Sequence, residues 1–182
     1  MLRIVVPGGE AFDEKTNEFI YYKDQVLQLE HSLLSLSKWE SKWHKPFYSM
    51  KKDDKTNAEI LDYIRCMTLT QNVDPATYLR LTDQNFKDIR EYIEDPMTAT
   101  TFNEHGPNRP SREIATSEVI YYWMIAFNIP VEFEKWHLNR LLTLIKVCNI
   151  KNQPSKKMKK SDIMRNNHSL NAARRAALHS RG

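Results

Sequence analysis

Apolar and polar positions along this chain follow two periods, first two and then three to four. Leu2-Arg3-Ile4-Val5-Val6 is rich in branched residues and stops at Pro7-Gly8-Gly9, which predicts a strand followed by a turn. Phe19-Ile20-Tyr21-Tyr22 and Val26 to His31 predict two more short strands, with the polar stretch Asp13 to Glu18 as a hairpin turn. Beyond them the period becomes helical. Leu33, Leu34, Leu36, Trp39 and Trp43 make one apolar face. His44-Lys45-Pro46 ends that helix, because a residue before proline is pushed out of the α region. After a charged loop, Met50 to Lys55, the capping box Thr56-Asn57-Ala58-Glu59 opens a helix with Ile60, Leu61, Ile64 and Met67 inward. Asp74-Pro75 starts a short helical segment, Ala76 to Leu81. Thr82-Asp83 starts another, with Phe86, Ile89, Tyr92 and Ile93 at helical spacing up to the stop at Asp95-Pro96.

Met97 to Pro110 reads as a surface loop, after which Ser111 caps a long helix to about Asn128. The centre of that helix, Val119 to Phe127, is apolar on every side, the pattern of a helix surrounded by protein. Pro130 opens the next helix, with Glu132 and Glu134 near its positive end. Phe133, Leu138, Leu141, Leu142, Ile145 and Cys148 form its inward stripe. Asn152-Gln153-Pro154-Ser155 breaks the chain. Ser161-Asp162 then caps a last basic helix containing Leu170, Ala172, Ala173, Ala176, Ala177 and Leu178. The fold class that follows is α+β, mostly α. A single globular domain, 1–152, joins a β-element (1–31) to a helical body (32–152) around a buried central helix, and a basic C-terminal arm occupies 153–182.

Composition narrows the function classes. Hydrophobic residues make up 41% and charged residues 27%, a mix that supports a folded core. Four glycines are too few for a barrel, a sandwich or a phosphate-cradling loop. The longest uncharged apolar run, Val119 to Phe127, is nine residues, about half of what spans a bilayer. The N-terminus lacks the long apolar run of a signal peptide. Cys66 and Cys148 lie in apolar helical patterns and read as buried free thiols in a reducing cytoplasm. The net charge of +4 is unevenly spread: from Lys151 onward there are nine Lys/Arg and one acid, Asp162, or about +8, against about −4 for the rest. The basic run Lys156-Lys157-Met158-Lys159-Lys160 and Arg174-Arg175 suit docking on an acidic protein, gripping of phosphates, or plain solvation. No base-stacking aromatic follows Ile150, which counts against nucleic acid.

Catalytic chemistry leaves no trace in the spacing. The six histidines form no HxxxH pair, the two cysteines stand alone, and no GxSxG, CxxC or Walker-type run is present. The expectation is a non-enzymatic protein without a catalytic residue, metal or cofactor. Trp39 and Trp43, one turn apart, read as core packing with His44 at the helix end, or as an exposed aromatic anchor for a partner. Trp136 and Arg140 are placed to stack, and His137 is placed for a buried hydrogen bond.

Four strings carry a resemblance: Trp39-Glu40-Ser41-Lys42-Trp43-His44-Lys45-Pro46-Phe47, Ile120 to Ile125, Lys135 to Ile145, and Leu170-Asn171-Ala172-Ala173-Arg174-Arg175. Together they resemble the tail assembly chaperones of long-tailed bacteriophages. The resemblance implies a protein that binds the tape measure protein, keeps it soluble, and helps recruit tail tube subunits. It would act in the host cytoplasm and leave before the virion matures. Read from aromatic type, spacing and charge rather than from the resemblance, the candidate partner-binding residues are Trp39, Trp43, Trp136, Arg140, Arg174 and Arg175, with self-association possible and no membrane involved. A head–tail connector that stays in the virion is the nearest alternative, and a small nucleic-acid-binding protein using the basic tail is the next.

Overall fold

The computed structural model describes residues 1–13, 17–48, 55–102, 114–153 and 160–178. Its first elements make one interrupted hairpin. β1 (Leu2–Val6) pairs antiparallel with β4 (Gln25–Leu29), and β2 (Gly9–Asp13) pairs with β3 (Glu18–Tyr22). Leu2 faces Leu29, Val6 faces Gln25, Gly9 faces Tyr22 and Asp13 faces Glu18, so both ladders keep the same register. The break falls at Pro7, which has no N–H to give a ladder. Across it the Gly8 amide donates to Asp24 Oδ1 at 2.7 Å. A Cβ on Gly8 would stand 2.5 Å from the Tyr22 carbonyl oxygen, so only glycine fits there. The turn expected at Gly8-Gly9 is instead this narrow junction, and Gly9 opens a strand.

Seven helices follow among the described residues: α1 (Leu33–Trp43), α2 (Asn57–Met67), α3 (Ala76–Leu79), α4 (Asp83–Glu94), α5 (Ser117–Ala126), α6 (Leu138–Asn152) and α7 (Lys160–Ala177). The fold is α+β and mostly α. Ser32 caps α1, and its side chain accepts the Ser35 amide. The capping boxes at Thr56 and Thr82 form with Glu59 and Asn85. Helix α1 ends at His44, which turns left-handed (φ 53°), one residue ahead of the position that proline restricts.

The core lies where the inner face of β1 and β4 meets α1. Ile4, Val6, Leu27, Leu29, Leu33, Leu36 and Trp39 are buried together with Ile64, Met67, Ile120, Leu138 and Leu141. Helix α1 packs on both α2 and α5, and α4 packs on β1. The central helix is therefore α1. Helix α5 is not enclosed, contrary to its all-round apolar pattern: it buries Ser117, Ile120 and Met124, while Tyr122 and Ile125 face solvent. It also begins at Ser117 rather than Ser111, which lies outside the described residues. The single helix expected from Pro130 is broken in two. A short 3-10 helix, Val131–Lys135, is followed by extended Trp136, and α6 starts at Leu138, whose amide donates to the His31 carbonyl at 2.7 Å. Helix α2 buries Ile64 and Met67 as expected, but it also buries Glu59, Asp62 and Tyr63, leaves Leu61 half-buried and exposes Ile60.

Two compact units are present, Met1–Asn149 and Ile150–Gly182. The division falls near the end of α6, a few residues before the boundary drawn at 152/153. In the second unit α7 starts at Lys160, ahead of the cap expected at Ser161-Asp162, and every described side chain on it is exposed.

Candidate protein-binding surfaces

The string from Trp39 to Phe47 is a clasp between helices. Trp39 is fully buried, and its indole N–H donates to the Glu59 carbonyl at 2.9 Å. It packs on Trp43, Phe47 and Tyr63 with ring centroids 6.3, 5.2 and 6.4 Å away. Trp43 is half-buried and donates to Asp62 Oδ2 at 2.9 Å, while Lys42 holds Asp62 Oδ1 at 2.5 Å. Lys45 bonds Glu59 Oε1 at 2.6 Å. That bond, with those from Thr56, holds the Glu59 carboxyl down at about 2. Buried Glu40 reaches furthest: Oε1 accepts the Phe47 amide at 2.8 Å and Oε2 accepts the Ser117 amide at 2.7 Å. Helix α5 has no side-chain cap of its own at Thr116, so Glu40 of α1 caps it from a distance. Of the two readings for Trp39, core packing holds; it is not a surface anchor. Trp43 offers part of its ring to solvent.

Trp136 and Arg140 do stack. The Arg140 guanidinium lies 4.2 Å from the Trp136 ring centroid, and Phe133 stacks on the same ring at 3.9 Å. Arg140 is exposed and Trp136 half-buried. Next to them His137 is buried and joins a polar group. Its Nε2 meets the Tyr92 carbonyl at 3.0 Å, and its ring lies 5.2 Å from His31. His31 Nδ1 meets Tyr63 Oη at 2.6 Å, and the Tyr92 hydroxyl donates to Glu30 at 2.7 Å. Burial, then the neighbouring His137, drives the His31 pKa from 6.5 down to about 3. Both imidazoles are therefore held neutral, and the pair ties β4, α2, α4 and α6 together.

The surfaces that stand open are apolar, and hydropathy along the chain does not single them out. On α5 Tyr122 is 66% and Ile125 75% exposed. On the β2–β3 ribbon Phe12 is 50%, Phe19 58% and Tyr21 75% exposed. Phe12 and Phe19 are directly opposed in the ladder, with rings 5.1 Å apart. Shared register puts them on the face that carries Ile4 and Leu27 nearer the core. The ribbon is pinned at its foot by Arg80, which donates to the Pro7 carbonyl at 2.8 Å and lies 4.5 Å over the Tyr22 ring. Beyond that foot no element among the described residues makes more than isolated contacts with it. Glu10, Phe12, Phe19 and Tyr21 share one face of the ribbon, since Glu10 opposes Tyr21 and Phe12 opposes Phe19, and reading Gly9 as a turn hides the first of its two strands.

Arg174 and Arg175 sit exposed in the last turn of α7, where cations favour the helix dipole. Among the described residues no cluster of His, Cys, Asp and Glu is arranged to hold a metal ion, and no helix is long and apolar enough to cross a membrane. Compared with known protein families, with curated proteins and with solved structures, the chain matches none of them.

Proposed function

We propose that the protein is a non-enzymatic binding protein that covers an apolar stripe on an elongated helical partner, and that this partner is the tape measure protein of a long-tailed phage. The observation that carries the reading is α5. Its sequence is apolar all round, yet it buries only one face in its own fold and leaves Tyr122 and Ile125 at 66% and 75% exposure. Such a helix leaves apolar area wet, and that area is what a partner helix with an apolar stripe covers. The resemblance of the four strings supports the identity of the partner and the timing: binding in the host cytoplasm, recruitment of tail tube subunits, and absence from the finished virion. Arg174 and Arg175, with the basic tail, supply a charged second contact.

Co-expression with the tape measure protein of the same phage tests this. Wild-type protein keeps the partner soluble and co-purifies with it. Tyr122→Asp with Ile125→Asp changes only solvent-facing side chains and should abolish capture while leaving the circular dichroism spectrum intact. Deleting Lys156 to Gly182 should weaken capture in a salt-sensitive way. Undiminished capture by the α5 variant sinks the proposal.

A further inference from the structure

We propose that α7 binds duplex DNA, laying one face in the major groove and keeping its alanines outward. The helix has 18 residues, about 27 Å of length at the α-helical rise. Every described side chain on it is exposed. Among the described residues no ion pair or side-chain hydrogen bond engages Lys160, Asn167, Asn171, Arg174 or Arg175. From Lys151 onward the chain carries nine Lys/Arg against the single acid Asp162. Met1 to Ile150 carries about −4, so a large polyanion is drawn to this unit and repelled by the rest.

The side chains of α7 are sorted around its axis. At 3.6 residues per turn, Lys160, Asn167, Asn171, Arg174 and Arg175 fall within about 100° of arc, together with Met164 and Leu178. Ala172, Ala173, Ala176 and Ala177 occupy the opposite side, with Arg165 beside them. Residue type then chooses among anions. Lysine and arginine alone would suit any acidic surface. Asparagines on the same face add paired donors and acceptors, which match the adenine edge in the major groove as arginine matches guanine. An apolar side chain among them, Met164 at 71% exposure, suits the thymine methyl group.

The form of the nucleic acid follows from the same residues. No Phe, Tyr or Trp comes after Ile150, which leaves a single strand without a stacking platform; the bases of a duplex stay stacked on one another and need none. A helix about 10–12 Å across matches the B-form major groove, about 12 Å wide, whereas the A-form groove of duplex RNA is too narrow for it. The alanines favour the helix before contact, and contact completes its ordering. This ligand rests on α7 alone and not on the α5 reading. The two proposals share Arg174 and Arg175, which serve one ligand at a time.

Fluorescence anisotropy with the full-length chain and a labelled DNA duplex, no other protein present, tests this apart from the tape measure reading. Wild type should bind with a micromolar Kd at low salt, and log K should fall with log salt at a slope of about −4, as release of counterions from four or five phosphates requires. Two charge-matched variants locate the contact. Arg174→Gln with Arg175→Gln takes two charges off the basic face and should weaken binding about tenfold or more. Ala173→Glu with Ala177→Glu makes the same change in net charge on the opposite side and should weaken it by less than about threefold. All four positions are exposed, and Gln and Glu are both good helix formers, so both variants keep the helix. Asn167→Asp with Asn171→Asp turns acceptors and charge toward the duplex and should weaken binding as the arginine pair does. No binding to the duplex, equal losses on the two sides of the helix, or tighter binding of a single strand or of duplex RNA of the same length would each overturn the proposal.

Discussion

Replacing Glu40 with glutamine probes the remote cap that joins the helices. The side chain is buried, and each carboxylate oxygen accepts one backbone N–H, from Phe47 at 2.8 Å and from Ser117 at 2.7 Å. Bonds to a charged acceptor contribute about 1.5–3 kcal/mol each, against about 1 kcal/mol for a neutral one. The amide of Glu40→Gln would keep one carbonyl acceptor, now uncharged, and would turn an NH2 group toward the other backbone N–H, leaving two donors face to face. One bond is weakened and one lost, and the favourable charge at the α5 N-terminus disappears, worth a further 0.3–1 kcal/mol or so. The expected loss is about 2–4 kcal/mol, or roughly 5–15 °C in Tm for a chain of this size. Urea denaturation followed by circular dichroism gives the total. Amide hydrogen exchange gives the location: Phe47 and the first turn of α5 should lose protection while the middle of α6 keeps its own. A loss below about 1 kcal/mol, or uniform loss of protection, would refute the remote cap.

Two further outcomes follow from the core. Trp39→Ala should cost roughly 3–5 kcal/mol, as a fully buried large-to-small change that also strands the Glu59 carbonyl, whereas half-buried Trp123→Ala should cost about half of that or less; equal losses in urea denaturation would contradict the packing described. Acid should destabilise the fold in a definite window. His31 is held near 3, chiefly by burial and then by His137, and His137 is lowered chiefly by burial; Tyr63, Glu30, Tyr92, Asp95 and the Met1 ammonium are polar and charged groups around the pair. The unfolded imidazoles bind protons below 6.5 that the folded ones resist, so stability is complete above 6.5; the His31 contribution falls as pH drops toward 3, by up to about 1.4 kcal/mol per pH unit, and the lowered His137 acts in the same direction. Glu59, lowered from 4.5 to about 2, stabilises above 4.5 and loses that contribution below it. Denaturation midpoints that stay constant between pH 7 and 4 would refute the neutral pair, and His31→Gln should flatten the upper part of the curve.

What is legible in the sequence has a local cause. The capping box at Thr56, the helix start at Thr82 and the apolar face of α1 depend on residues within four positions of one another. What is not legible has its cause elsewhere in the chain. Gly9-Glu10-Ala11-Phe12-Asp13 has little strand propensity; it is a strand because β1 and β4 set a register that β2 and β3 continue. Hydropathy places Ile60 inward and Glu59 and Asp62 outward. The structure reverses them because Lys42, Trp43 and Lys45 of the α1 end reach across to the two carboxylates. Buried charge with a partner about twenty residues away has no signature in a window of seven. The 3-10 turn before α6 has the same origin, since His137 is drawn into contact with Tyr92 and His31 and the helix starts only after it.

The site residues divide along the same line. Aromatic type alone does not separate Trp39, which fills the core, from Tyr122, which stands in water. The reading of Val119 to Phe127 as an enclosed helix is sound physics applied to one molecule too few. An apolar helix is stable when protein surrounds it; among the described residues the chain buries Ile120 and Met124, partly covers Tyr121, Trp123 and Phe127, and leaves Tyr122 and Ile125 in water. The ribbon obeys the same logic, since its face is core-like at Ile4 and Leu27 and stays apolar past the end of the core at Phe12 and Phe19. Both features keep residues that stability in isolation would replace with polar ones. On the proposed reading an occupant that buries them accounts for their presence, so the apolar area left wet, rather than any titratable group, is where that reading is to be tested.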